Sequence, residues 1–504
     1  MKGIHSMSEK ISHDIGVNER YIRERCEGCA DIIIRPMKLG AGVKVRCLVV
    51  YIEVAVSNMT LEDSVIGKLI NHLWEIPGDK IKEFVADNGL GISDTAEFTE
   101  MEPAFKAMLA GNAIFFLDGY DKAIKISSKG YPNMGVSKAE SEKVLRGSQE
   151  GFSDSEKVNT ALIRKRVRST DLKVEEMMIG VRSDTMVALV YMKELMPPHL
   201  LTEVKEKLEN FEIDGVLDSG MLEQLTENNW KSPFPQFETT ERPDRAAMEV
   251  LNGRMVIICD NSPMAVMIPT TFDSFLKVSE DRYNRFEIVT FQRLIRYVAV
   301  FIAMGLSGIY LAVINFHTQV VPTNLLLSFA QSRRGVPFPS MVEIILMELA
   351  FELIREAGIR MPGPLGGTIG IVGGLIIGDA AVSANLVSPM TVVVVAVSAL
   401  SSFAIPNEEF SAAFRILKFG FILLGGLFGT FGLVLGGFLL LGHLSALSSF
   451  QIPYLIPFVG RDKPDYVNEG DSMIRAPLRR MRYRPVYANK GQRVRLKEKK
   501  HESK

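Results

Sequence analysis

Asp379 is the single charged residue in the stretch Leu365 to Asn385, LGGTIGIVGGLIIGDAAVSAN. Wound as a helix, the stretch puts Thr368, Val372, Leu375, Asp379 and Ser383 along one side, a series that is polar, apolar, apolar, acidic and polar. Hydrocarbon tolerates an ionisable group poorly, so a carboxylate in such a segment predicts a water-filled cavity or an ion pathway. Gly366, Gly370, Gly374 and Gly378 recur at every fourth position on another side, forming a smooth stripe along which a second helix can approach closely. A face that packs and a face that carries a charge are what a pore or a midplane binding site requires. The competing reading sets Asp379 among the headgroups, with Val372 and Leu375 facing lipid.

The rest of the chain must position this segment. It has 504 residues and a formal net charge of −1, which gives no electrostatic footprint for nucleic acid. Residues 1–296 hold no long apolar run, whereas 297–460 hold nearly all of them. The amino terminus, MKGIHSMSEKISHD, has no apolar core of a signal peptide, so the large N-terminal region is expected on the cytoplasmic side. Four cysteines are too few for a disulfide framework. Cys26 and Cys29 form a lone CxxC read as an ordinary loop, and Cys47 and Cys259 fall in strand-like runs as buried thiols. No nucleophile with its base, no phosphate-cradling loop and no metal or cofactor set can be assembled, so catalysis is not expected.

The N-terminal region reads as α/β: a polar lead-in over residues 1–44, then two related subdomains over 45–150 and 151–290. Val45 to Val56 predicts a buried strand, Leu61 to Trp74 a helix, and Asn112 to Leu117 a strand closed by a turn at Asp118 and Gly119. Gly111 to Asp118 (GNAIFFLD) aligns with Gly253 to Asp260 (GRMVIICD), and Val49 to Ile52 with Leu189 to Met192, at nearly the same offset. Ser153 and Glu156 have capping-box spacing. Arg164, Lys165, Arg166 and Arg168 form a basic cluster, read as a solvated helix face paired with nearby acids rather than a lipid or phosphate site. Trp230 to Phe237 (WKSPFPQF) reads as a rigid crossover.

The C-terminal region, 291–460, predicts four membrane spans at 297–316, 365–385, 386–405 and 419–441. Arginines 282, 285, 293 and 296 hold the start of the first in the cytoplasm, and the basic tail, 461–504, is expected there too, which demands an even number of crossings. Met341 to Ala357 is acidic and short, with Glu348, Glu352 and Glu356 on one face, and is expected as an amphipathic helix in the interface. A fifth crossing or a re-entrant hairpin there is the alternative. In the last span Gly425, Gly429, Gly432 and Gly436 fall on one face. Two glycine-striped helices in so small a bundle suggest seams between copies as well as within one, and a ring of copies would line a cation pore with the Asp379 face.

Several blocks carry a resemblance: GFSDSEKVNTALIRKRVRSTDLKVEEMMIGVRSDTMVALVYM, RPDRAAMEVLNGRMVIICDNSP, GVPFPSMVEIILMELAFELIREAGIRMPGPLG and GLIIGDAAVSANLVSPM. In order along residues 19–463, they resemble the A subunit of GerA-type spore germination receptors. The resemblance implies a multi-pass protein of the spore's inner membrane that works with a permease-like B subunit and a lipoprotein C subunit. It also implies that A subunits assemble into the ion-conducting part. A related accessory group shares this architecture, and no site residues transfer with the family. A solute transporter and a non-conducting scaffold with a sensing N-terminal region stand as the other function classes.

Overall fold

The computed structural model describes residues 10–40, 43–55, 76–77, 80–81, 83, 95–127, 130–131, 138–360, 378–459 and 471–496. The helix expected over Leu61 to Trp74 lies outside them. The chain divides into two units: Met1–Glu227 with Phe237–Pro269 and Arg482–Lys504, and Asn228–Gln236 with Thr270–Met481.

The first unit contains two five-stranded antiparallel sheets built on one plan. In the first, β1 (Ile32–Leu39), β2 (Val45–Ile52), β3 (Thr95–Phe98), β4 (Ala113–Leu117) and β5 (Ala123–Ile126) take the order β1-β2-β4-β5-β3. Helices α1 (Ile15–Arg25) and α2 (Met101–Leu109) accompany it. In the second, β6 (Leu172–Ile179), β7 (Thr185–Met192), β8 (Glu238–Thr240), β9 (Met255–Cys259) and β10 (Ala265–Ile268) take the matching order β6-β7-β9-β10-β8. Its helices are α3 (Glu156–Arg166), α4 (Pro198–Glu209), α5 (Ser219–Thr226) and α6 (Pro243–Leu251). The central strands β4 and β9 are buried at every position, consistent with their unbroken apolar runs. Each fully buried Val, Ile or Phe there contributes about 1.5–3 kcal/mol.

The two related subdomains expected from the sequence are therefore present, and the likeness reaches into their side-chain braces. Asn18 Oδ1 accepts from Ser12 N at 2.9 Å while its Nδ2 donates to Ser12 O at 2.8 Å; Asn159 does the same with Ser153 at 2.8 and 2.6 Å. Asp118 Oδ1 accepts from Ile15 N at the start of α1, and Asp260 Oδ1 from Glu156 N at the start of α3. Gly111 and Gly253 open β4 and β9 from the left-handed region, at φ +91° and +92°. The predicted Ser153–Glu156 capping box is absent, because Ser155 takes the N-cap position and Asp260 supplies the acceptor.

Two boundaries differ from expectation. The polar lead-in, 1–44, supplies α1 and β1. Pro36 disguises that strand in the sequence, but β1 is an edge strand, where a missing N–H breaks no ladder. The basic tail, 461–504, is not one segment apart from the subdomains either: Arg484 Nε donates to Leu251 O at 3.0 Å, and Asn489 N to Leu195 O at 2.6 Å, docking residues 484–489 on the second subdomain.

The second unit is helical: α7 (Phe286–Phe316), α8 (Thr323–Ser332), α9 (Ser340–Arg360), α10 (Pro389–Phe403) and α11 (Glu408–Ala446). Two of these, α7 and α11, are long and apolar enough to cross a membrane. The span predicted over 419–441 is not one straight helix. Gly429 has φ +60° and ψ −143°, and the chain folds back there. A Cβ on Gly432 would lie 2.3 Å from Leu424 O, although eight residues of straight helix would separate them by about 12 Å. Leu444 correspondingly joins Phe410 and Phe414 in one core.

The WKSPFPQF segment anchors in this unit. Phe234 packs at 5.3 Å from Phe414 and 6.1 Å from Phe410, Tyr454 Oη donates to Pro235 O at 2.9 Å, and Trp230 is left exposed.

Candidate functional site

Of the predicted pathway face, Thr368, Val372 and Leu375 lie outside the described residues, as do Gly366, Gly370 and Gly374 of the stripe. The described end of the stretch separates the two faces: Asp379 and Ser383 are exposed, while Gly378 is buried, its Cβ position 3.4 Å from Val392 of α10. The segment ends at Asn385, which takes φ +55°, and Leu386 N donates back to Ala381 O at 2.9 Å, a left-handed helix end of Schellman type. Ser388 then caps α10, its Oγ accepting from Thr391 N at 3.3 Å. A corner of three residues thus joins the Asp379 segment to α10.

The corner is held from α9. Glu343 is fully buried; its Oε2 accepts from Ser388 N at 2.9 Å and from Thr391 Oγ1 at 3.2 Å, and its Oε1 from Arg333 Nη2 at 3.0 Å. One turn further, Glu348 is also fully buried, accepting from Ser307 Oγ at 2.7 Å and pairing with Lys418 Nζ at 2.5 Å. Arg355 reaches Glu408 at 3.0 Å and Ser402 Oγ at 3.1 Å, while Arg415 lies 3.5 Å from Glu352 and 3.1 Å from Glu408. The helix expected in the interface over Met341 to Ala357 instead turns Glu343 and Glu348 into the bundle. Its acidity argued against burial only while those carboxylates lacked partners, and the partners come from Arg333 and, 70 residues along the chain, Lys418.

The glycines of the last predicted span serve contacts within the chain. Gly425 crosses Gly308 of α7, with a Cβ position 2.4 Å from Gly308 O; Gly429 makes the turn against the Phe316 ring; Gly432 and Gly436 face Leu424 on the other arm. Such approach requires residues without side chains.

At the amino-terminal end of α7, Arg293 donates to Asp281 Oδ2 at 2.9 Å and Asp471 Oδ1 at 2.6 Å, and Arg296 reaches Asp281 at 3.0 Å. Tyr297 Oη donates to Asp273, which also pairs with Lys277 at 2.5 Å. Burial would raise the Asp471 carboxyl, but Lys277 and Arg293 hold it well below the usual carboxylate range.

In the first unit Arg164, Lys165 and Arg166 are paired with acids as expected, but Arg164 is buried rather than solvated, and Arg168 donates to Lys165 O at 3.2 Å. Arg164 is buried and grips Asp31 with two bonds, Nε–Oδ2 at 2.6 Å and Nη2–Oδ1 at 2.8 Å, joining the two subdomains. Lys165 and Arg166 both take Glu150. The RPDRAAMEVLNGR block proves structural: Arg254 pairs with Glu238 at 2.6 Å, Arg245 with Glu238 and with Glu142, and Arg242 donates to Ser148 O at 2.7 Å. Cys26 and Cys29 are buried; desolvation pushes the Cys26 thiol up to about 12 and raises Cys29, which disfavours their thiolates. Glu156, buried where the first subdomain has Ile15, is raised to about 7 by desolvation and by Glu176. A cavity of about 10 Å³, room for one water, lies between Asp31, Glu53, Lys157, Thr160 and Glu176.

Comparison with known proteins places this arrangement. The family model described as Bacillus/Clostridium GerA spore germination protein matches residues 20–487. Spore germination protein KA of Bacillus subtilis is 34% identical over 96% of this chain and 88% of its own, and spore germination protein GerLA of Bacillus cereus is 35% identical over 95% and 96%. YfkQ of B. subtilis, described as an uncharacterized membrane protein, is 38% identical over 95% of this chain and 92% of its own. The crystal structure of the N-terminal domain of the A subunit of the Bacillus megaterium spore germinant receptor GerK3 is 25% identical, covering 53% of this chain and 98% of that one at a TM-score of 0.42. The chain belongs to the GerA spore germination protein family.

Proposed function

We infer that this chain is the membrane subunit of a nutrient-responsive germination receptor and that copies of it assemble into a ligand-gated cation channel. The family match across residues 20–487 supports the germination role, with a permease-like B subunit, a lipoprotein C subunit and the spore's inner membrane as the expected setting. The observation that carries the channel is the division of faces at Gly378 and Asp379. The glycine is spent on α10, while the carboxylate and Ser383 are left for something outside the protomer. A ring of such faces attracts cations, and nutrient bound to a partner opens it by favouring one arrangement of the ring over another.

The test is Asp379→Asn in spores exposed to a mixed nutrient broth. Cation release slows several-fold while assembly, read from the size of the detergent-extracted complex, is unchanged. Release at the parental rate would sink the acidic ring.

A second reading is an accessory, non-conducting member of the family, a class left open by the similarity to YfkQ, which is described only as an uncharacterized membrane protein. Deleting the chain then leaves cation release intact for every nutrient.

A further inference from the structure

Residues 471–481 form a strap tied along the start of α7. Arg293 Nη1 donates to Asp471 Oδ1 at 2.6 Å and Ser472 O at 2.7 Å, Ser472 Oγ donates to Asp273 Oδ1 at 3.0 Å, and Arg475 N donates to Thr290 Oγ1 at 3.1 Å. The acids of this corner are consumed inside it: Asp281 by Arg293 and Arg296, Asp273 by Lys277 and Tyr297, Asp471 by Arg293. The outer side is different in kind. Ile474 is 70% exposed and Leu478 65%, followed by Arg479 and Arg480, both exposed. On α7 beside the strap's attachment, Phe291, Leu294 and Ile295 are exposed as well.

The depth of the strap follows from helix geometry. Its anchors, Thr290 and Arg293, precede the uncharged run that begins at Tyr297 by four to seven residues, about 6–10 Å along the axis. If that run enters hydrocarbon, the anchors stand in the headgroup layer, which occupies several Å on each side of the apolar slab. Apolar side chains interleaved with exposed arginines at that depth have the composition of an interfacial contact, with attraction to anionic headgroups added to apolar burial.

We propose that the 471–481 strap is a docking surface for the anionic phospholipids of the leaflet that α7 enters, with Ile474 and Leu478 at the acyl boundary and Arg479 and Arg480 on the phosphates. The proposal rests on reading α7 as a membrane span, and it is independent of whether the chain conducts ions. It makes the strap a lipid-sensitive clamp on the end of α7, because Arg293 and Thr290 are bonded to the same few residues that meet the headgroups.

The test uses the full-length chain in nanodiscs of phosphatidylcholine with and without phosphatidylglycerol. Leu478→Cys carries an environment-sensitive fluorophore; the native cysteines 26, 29, 47 and 259 are buried and do not compete. With phosphatidylglycerol present, the emission shifts to the blue and is quenched by a lipid-borne nitroxide, and added salt reverses both changes. Adding Arg479→Gln and Arg480→Gln weakens the phosphatidylglycerol response about twenty-five-fold, some five-fold per arginine. Identical emission in the two lipids, or a response that survives loss of both arginines, overturns the proposal. A chain that fails to enter nanodiscs at all defeats the membrane reading itself, which is a separable result.

Discussion

Lys418 Nζ stands 2.5 Å from Glu348 Oε2 with both side chains buried, so α9 and the first arm of α11 are joined by an ion pair inside an apolar bundle. The pair is completed by Ser307 Oγ, which satisfies the other carboxylate oxygen from α7. One ion pair therefore registers three helices against one another.

Removing one partner is expected to be far worse than removing both. Lys418→Met leaves Glu348 buried without a counter-charge and destabilises the helical unit by about 3–5 kcal/mol. Adding Glu348→Leu recovers most of that loss. Thermal unfolding of the detergent-solubilised chain checks the order, and a double variant no better than Lys418→Met would show that the pair is not the source.

Gly429 is expected to tolerate no side chain. Its φ of +60° with ψ −143° is a region open essentially to glycine, and a Cβ would sit 2.9 Å from the Phe316 ring. Gly429→Ala should cost more than about 2 kcal/mol. Thermal unfolding of the detergent-solubilised chain checks this against Gly437→Ala, which has nothing within 4 Å of its Cβ position and should cost little.

Glu156 predicts a stability that falls with rising pH. Its folded value, about 7, lies above the value of about 4.3 for a free glutamate. Between those values the folded chain holds a proton that the unfolded chain has released, so stability declines from about pH 4 to about pH 7 and is flat above, by at most about 4 kcal/mol. Glu156→Gln removes the decline and is the more stable form at pH 8. Hydrogen exchange of the β9 amides in the full-length chain, corrected for intrinsic pH dependence, gives the comparison.

Gly253→Ala should free the tail. A Cβ there would fall 2.6 Å from Ala488 Cα, at a φ of +92° that alanine adopts poorly. Cleavage by trypsin after Arg482 and Arg493 is expected to accelerate at least several-fold, while Gly491→Ala, with nothing within 4 Å of its Cβ position, leaves the rate unchanged.

What was legible in the sequence was whatever local pattern and internal repetition encode. Gly111 with Asp118 and Gly253 with Asp260 mark the same turn-strand-turn twice, and the two sheets follow from that. The Asn18 and Asn159 braces went unseen because a polar residue six positions from a serine has no periodicity to betray it. Glu343 and Glu348 were visible as acids but not as buried ones, since burial depends on Arg333 and on Lys418, whose approach is a property of the packed bundle. Gly429 was read as one member of a packing stripe because 4-3-4 spacing looks the same on a straight helix and on two facing arms. The choice between them is made by Phe316 and Leu424, which the spacing does not contain. For the candidate site, the division between Gly378 and Asp379 could be anticipated from their adjacency on a helix, whereas the Glu343 clamp on the next corner could not.

If α11 crosses a membrane, the fold-back at Gly429 makes its passage two crossings rather than one. Arms of 408–428 and 430–446 are about 31 and 26 Å long, each close to the thickness of a hydrocarbon slab. The polypeptide consequently returns to the side it left. Sidedness tags at Asn407 and Leu447 should report one compartment, and a topology that scores this region as a single passage would place everything after it on the wrong side.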